Sequence, residues 1–407
     1  MKLDFWKFWT GETVSAFGTS VTQFAMPLIV FKLTGSAVAL GAAAAMFTIP
    51  HLLFGLAIGA WTDRTDRKRL MVAVDLLAAL TVASVPIVAG LGALSIWWVL
   101  AVLFATSTLS IFFETAQFGA IPSLVDRDDL VTANGRIQAS FAAATVLGPL
   151  AAGALLVLVP LETVLYIDAA SFVVSALALT LIGRSFNVPL ERRVTSIRQD
   201  IVEGLRYVLS HPVLRNISLM MAMINLVGVT VFAQLVLFAK QELKAADSEL
   251  GLLFAAGGVG VFALSLLAGP LRKRWSFGNV ALGALMLSGL FTLALAYTTS
   301  LWLGILLWAL ASGLGILFNI NTGSLRQAIV PNHMLGRVIS IAMVLAWSAN
   351  PIGAIVGGLI IERAGDVRLV YGAIGVVTFL IALAFRLASP LGRAERHIGS
   401  TAQAAAK

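Results

Sequence analysis

The sequence predicts an all-α integral membrane protein, with twelve transmembrane helices in two pseudo-symmetric six-helix bundles. Three observations predict it. Of the 407 residues, 59% are hydrophobic and 12% charged, whereas a soluble domain carries about a quarter charged residues. Apolar runs of about 20 residues recur along the whole chain, each long enough to cross a bilayer as a helix. The chain also repeats itself. Asn134-Gly135-Arg136-Ile137 and Leu335-Gly336-Arg337-Val338 each open an apolar run. Gly148-Pro149 with Gly153 lies downstream of the first, and Asn350-Pro351 with Gly357 and Gly358 downstream of the second. The offset of about 201 residues is close to half the chain.

The spans fall at roughly 8–32, 38–60, 70–92, 95–118, 134–159, 162–183, 213–238, 249–271, 278–298, 301–325, 338–361 and 367–388. An even count puts both termini on one side, and the basic residues say which. With the N-terminus in the cytoplasm, all but five of the 28 Lys and Arg fall in internal loops and tails, Arg326 among them. The five are Lys32, Lys240, Lys244, Arg363 and Arg368. Such a bias orients a membrane protein, so the net charge of +8 reads as orientation and not as a nucleic-acid footprint. The longest polar stretch divides the chain into an N-terminal bundle (1–183), a cytoplasmic linker (184–212), a C-terminal bundle (213–390) and a cytoplasmic tail (391–407). Within the linker, Ile197, Ile201, Leu205 and Val208 share one helical face, which predicts an amphipathic helix on the membrane surface. The absence of cysteine excludes disulfides and thiolate metal sites, and the four scattered histidines offer no zinc spacing. No cleavable signal peptide precedes the first span.

Between spans 2 and 3 lies Gly59-Ala60-Trp61-Thr62-Asp63-Arg64-Thr65-Asp66-Arg67-Lys68-Arg69. Four cations and two carboxylates in so short a loop must lie at a membrane face. Gly59 permits close helix approach, and the basic tail from Arg67 to Arg69 suits anionic headgroups or a facing carboxylate. The register resembles the loop between helices 2 and 3 of major facilitator superfamily transporters. Phe8-Trp9, Gly11, Ser15, Gly18, Leu33-Thr34-Gly35-Ser36, Pro50, Ile121-Pro122, Asn134-Gly135 and Gly148-Pro149-x-x-x-Gly153 extend the likeness. They are similar to the branch of bacterial macrolide efflux proteins and siderophore exporters. The C-terminal half matches less closely: its counterpart turn, Gly269-Pro270-Leu271-Arg272-Lys273-Arg274, keeps the glycine and cations but has no carboxylate.

The resemblance implies parallel six-helix repeats and secondary export, in many members driven by protons. It also implies a conformational latch of Gly59, Asp63, Arg64, Arg67, Glu114, Arg136 and Arg337. In it the loop carboxylate meets the start of span 11, where helix N–H groups favour an anion. Glu114 is the candidate partner of Arg67. Gly148, Pro149 and Gly153 resemble the helix-5 motif of facilitator antiporters; there proline removes a backbone hydrogen bond and bends the helix.

Carboxylates inside apolar spans are expensive and mark ion or substrate pathways. Glu12, Asp75 and Asp168 are therefore the proton-coupling candidates, Glu12 first because span 1 lines the central cavity in this fold. Gln23, Asn225, Gln234, Asn319, Asn321 and Asn350 are candidates to hydrogen-bond a polar substrate, with interhelical bonding as the alternative. Phe24, Met26, Phe113, Met223, Phe232, Phe318 and Trp347 are candidates for an adaptable apolar wall. Trp97, Trp98 and Trp302 read as interface anchors. Gly257-Gly258-x-Gly260 sits within a transmembrane run and is no phosphate loop.

The expected function is proton-coupled antiport, exporting a small amphiphilic molecule (a drug, antibiotic or siderophore-like compound) by alternating access. Import of a small metabolite, or lipid handling or reception on the same fold, are the alternatives, and no nucleophile–base arrangement points to an enzyme. The expected setting is the inner membrane of a bacterium, with both termini cytoplasmic. The protein is expected to be a monomer with membrane lipids around it, no nucleic-acid partner and no cofactor beyond a proton gradient.

Overall fold

In a computed structural model the described residues are 3–62, 65–126, 129–186, 197–330 and 334–393. Among them every regular element is helical. In chain order these are α1 (Leu3–Thr34), α2 (Ala37–Thr62), α3 (Arg67–Gly90), α4 (Ile96–Leu124), α5 (Leu130–Leu155) and α6 (Leu165–Thr180). There follow α7 (Ile197–Ser210), α8 (Pro212–Ala233), α9 (Leu235–Gln241), α10 (Asp247–Arg274), α11 (Gly283–Tyr297) and α12 (Leu301–Ile329). The last are α13 (Leu335–Trp347), α14 (Ala349–Ala364) and α15 (Val367–Ala388). Twelve helical stretches are long and apolar enough to cross a membrane, one for each span read from the sequence. Trp97 and Trp302 stand exposed at the starts of α4 and α12, as anchors require.

Local chemistry sets several of the boundaries. Asp66 caps α3 by accepting from the Arg69 backbone N–H at 3.0 Å, Ser95 caps α4 and Ser300 caps α12. Gly365 closes α14 in the left-handed region (φ 67°), where a side chain would strain the turn. Span 11 is two helices, broken at Ser348. Pro351 explains the break: its ring clashes with the carbonyl four residues back, and α13 ends at that residue, Trp347. Span 7 also divides, into α8 and α9 at Gln234, where neither Gly nor Pro stands. The amphipathic linker helix forms as α7 and packs on α8 and α13, with Val208 fully buried beside Val213, Leu214 and Val338.

The chain forms two compact units, Met1–Glu191 with Ala245–Ala255 and Arg192–Lys244 with Ala256–Lys407. In the first, α1 packs on α5 and α6, α3 on α4 and α6, and α2 on α4. Lipid tails are as apolar as Leu, so close packing and hydrogen bonds hold such helices together. Gly148 accordingly lies so near Ser20 that a Cβ would stand 2.5 Å from the serine Cβ, while Ser20 Oγ donates to the Ala144 carbonyl at 2.7 Å. The opening turns of α10 belong to this unit. Gly251 abuts Pro149 and Gly153 of α5, Lys32 pairs with Asp247 at 2.5 Å, and Phe254 meets Phe24 edge to face.

In the second unit α11 packs on α15 and α12, and α8 on α14 and α15. Thr230 Oγ1 donates to the Gly353 carbonyl (3.0 Å), and Tyr371 OH donates to the Val231 carbonyl (2.6 Å). Arg368 and Glu242 form an ion pair. Arg326, which the basic-residue pattern assigns to a loop, is instead inside α12 and only 7% exposed. The helix runs to Ile329, a full turn beyond the end of the apolar run.

Candidate functional site

Each unit has its own cavity. The cavity of the first unit has a volume of 340 Å³ and is lined from α1 through α6. Three carboxylates from three helices reach it: Glu12 (α1), Asp75 (α3) and Glu114 (α4). Asp168 of α6 and His51 of α2 also line it, and no Lys or Arg does among the described residues. Asp75 and Glu114 are the acidic neighbours of Glu12, and His51 lies near Glu114. His51 Nδ1 donates to the Phe47 carbonyl at 3.1 Å. Ionised together, these carboxylates would leave the cavity strongly negative, and either a proton or an organic cation neutralises that charge.

The carboxylates are not equivalent. Asp168, 1% exposed, is satisfied by hydroxyls: Thr22 Oγ1 donates at 2.5 Å and Thr19 Oγ1 at 3.4 Å from α1, and Ser171 Oγ lies 3.2 Å away. Gly18 makes the room, since a Cβ there would stand 2.1 Å from Ser171 Oγ. Asp168 thus ties α1 to α6. By contrast, Glu12 Oε2 and Asp75 Oδ2 are buried with no hydrogen-bond partner. Those two oxygens are buried acceptors left free in the site.

Of the other sequence candidates, Gln23 and Phe113 line this cavity. Phe24 and Met26 do not: both are packed in the interior, 1% and 0% exposed. The second unit's cavity, 170 Å³, is lined by Asn225, Phe232, Phe318 and Asn319 among the candidates, with Trp308 on its wall and no charged side chain among the described residues. Asn225 also donates to the Ala346 carbonyl at 2.9 Å, so it bonds across helices as well. Asn321 turns back on its own helix, donating to the Leu317 carbonyl at 2.7 Å, and Gln234 is fully buried at the α8–α9 break. Met223 and Trp347 are exposed, and Asn350 opens α14 half-buried.

Of the proposed latch, Asp63 and Arg64 lie outside the described residues, as do the side chain of Arg337 in the first turn of α13 and the surroundings of Gly59 in α2. Arg67 is 5% exposed and donates to the Gly119 carbonyl of α4 (3.1 Å) and the Phe186 carbonyl (3.4 Å). Gly119 leaves the room for it, since a Cβ there would stand 2.5 Å from the guanidinium carbon. Glu114, its expected partner, stands more than a turn away along α4, on the cavity. Lys68 donates to the Ile182 carbonyl at 2.5 Å, capping the end of α6. Of the basic tail expected at headgroups or a facing carboxylate, Arg67 and Lys68 donate to backbone carbonyls, and Arg69 is exposed. Arg136 stacks over the Trp6 ring at 4.4 Å. Arg67→Met should lower stability by about 1–3 kcal/mol, because it strands buried carbonyls. Thermal unfolding in detergent checks this, and an unchanged midpoint refutes it.

Sequence reasoning passed over His51 and Gln117, both of which line the first cavity. Gln117 had a readable signal: three residues after Glu114, it shares that residue's helical face. His51 had none, since a lone His in an apolar run looks like any core residue.

Among the described residues, twelve helices long and apolar enough to cross a membrane, with buried carboxylates lining a cavity, describe an integral membrane protein whose class the family match gives. The chain matches the transmembrane secretion effector family over residues 2–404 and belongs to that family of the major facilitator superfamily. Macrolide efflux protein A of Streptococcus pyogenes is 27% identical over 375 residues, covering 89% of this chain and 91% of that protein. The multidrug efflux pump Tap of Mycolicibacterium fortuitum is 29% identical over 366 residues, covering 86% and 87%. Among solved structures, the nucleoside transporter NupG superimposes with a TM-score of 0.77 at 14% identity, covering 94% of this chain and 98% of that one. A bacterial homologue of the human lysosomal transporter Spinster gives 0.74 at 15%, covering 98% and 97%. Both share the fold. The chain is a multi-pass efflux transporter of a bacterial inner membrane, acting on small molecules.

Proposed function

We propose that the protein exports an amphiphilic drug- or antibiotic-type molecule in exchange for protons, by alternating access of its two halves. The supporting observation is the first-unit cavity: Glu12, Asp75 and Glu114 converge there, with no Lys or Arg on its wall among the described residues. A carboxyl in that setting alternates between binding a proton and facing a cation. Exchange needs such a group, because one site must hold either occupant but not both. The relatives named for macrolide and multidrug efflux support an amphiphilic cargo. Both termini lie in the cytoplasm, on the asymmetry of Lys and Arg, and the working unit is a monomer.

The test is cargo–proton exchange in proteoliposomes, with an internal pH probe and a panel of macrolides, cationic dyes and siderophores. One compound should drive proton movement across the membrane in the opposite direction. Flux of a compound with no proton movement would overturn the coupling. The absence of flux for every compound would overturn the export reading in favour of lipid handling.

A further inference from the structure

We propose that Arg326 marks an anion-binding subsite behind the cavity of the second unit, taking the carboxylate or phosphate group of an amphiphile. Two buried arginines invite comparison. Arg67 donates from Nη1 to two backbone carbonyls, and none of its nitrogens is left buried without a partner. Arg326 is equally buried, at 7% exposure, yet its Nε has no hydrogen-bond partner. The bond its Nη2 makes is to the Met221 sulfur, at 3.0 Å. A thioether is a weak acceptor. No carboxylate pairs with this guanidinium among the described residues. A buried cation left in that state is strongly unfavourable unless an anion meets it, so a packing role does not account for it.

The geometry says from where that anion comes. Met221 lines the second-unit cavity, so the guanidinium is separated from the cavity by one flexible thioether. Met side chains repack readily, and a rotation of Met221 would open the Arg326 fork to the cavity. Asn319, two turns before Arg326 on the same face of α12, already lines it. The wall there combines Trp308 and Phe318 with Asn225 and, among the described residues, carries no charge of its own. Its 170 Å³ suits a headgroup or a small acid on an apolar tail. Guanidinium donors lie in a plane and match carboxylate or phosphate oxygens two at a time. The subsite adds a substrate chemistry to the export reading, but binding itself needs no gradient.

The test uses the purified full chain in an uncharged maltoside detergent. Calorimetric titration compares octyl phosphate with octanol, the same tail without the anion. Wild type should prefer octyl phosphate by about tenfold or more, the range of a hydrogen bond to a charged group. Arg326→Gln should abolish that preference, and Arg326→Lys should retain part of it. Equal affinities in wild type, or a preference undiminished in Arg326→Gln, overturn the proposal. If Arg326→Gln does not purify as a monodisperse protein, Arg326→Lys decides: an unchanged preference overturns the bidentate site. Repeating the titration in nanodiscs with and without phosphatidylglycerol separates the two sources. Competition by that lipid identifies a headgroup as the occupant, and undiminished binding identifies a transported anion. Failure here leaves proton-coupled export standing, and failed export leaves this binding result intact.

Discussion

Replacing Glu12 with Gln is expected to reduce cargo-driven proton movement to background while the protein stays folded. The amide keeps the size and shape of the side chain but can neither take up nor release a proton. Glu12 is 7% exposed, lines the first-unit cavity and has an oxygen without a partner. The Gln variant therefore breaks no observed hydrogen bond of that oxygen, and stability should change by about 1 kcal/mol or less. The contrast with Asp168 matters. That carboxylate receives hydroxyl donors from two helices, so its loss would confound assembly with coupling. Proteoliposomes loaded with a pH probe provide the measurement. Wild-type proton movement in Glu12→Gln would make Glu12 structural and shift the role to Asp75, whose Oδ2 is likewise unpaired.

The spans were legible because a bilayer demands long unbroken apolar runs, and no other structure satisfies their backbones. The break in span 11 was legible in principle, since Pro351 stands four residues after Trp347. The break at Gln234 was not, because nothing in Phe232-Ala233-Gln234-Leu235 punctuates a helix. Glu12 and Asp75 announced themselves by the energetic cost of a carboxylate in an apolar span. The neutral candidates did not separate so well: Gln23, Phe113, Asn225 and Phe318 line cavities, whereas Phe24, Met26 and Asn321 pack within the bundle. A helix apolar all round has no moment to show which side faces inward. Arg326 illustrates the complementary error. A cation at the end of an apolar run reads as a loop residue, although the helix continues past it and carries it into the interior.

Gly260→Leu is expected to abolish the folded protein, and Gly260→Ala to lower its stability by about 1–3 kcal/mol, the usual cost of overpacking. A Cβ at Gly260 would stand 1.9 Å from the Ala309 carbonyl oxygen and 2.6 Å from its carbon, both backbone atoms that no side-chain rotation can clear. The approach is mutual, since a Cβ on Gly313 would stand 2.4 Å from the Gly260 carbonyl oxygen. Gly257, one turn earlier, makes room for the Trp308 indole nitrogen, which a Cβ would meet at 2.7 Å. Gly257 and Gly260 of the cluster Gly257-Gly258-x-Gly260 are therefore where α10 meets α12. In lipid no hydrophobic term returns two apolar helices to each other once they are forced apart, so the contact is not replaced by burial elsewhere. Trp308 also walls the second-unit cavity, and separating the helices removes its support from that wall. Thermal unfolding in detergent and the monodisperse yield measure the effect. A Leu variant with wild-type yield and midpoint would mean that α10 and α12 do not pack backbone to backbone in the working protein.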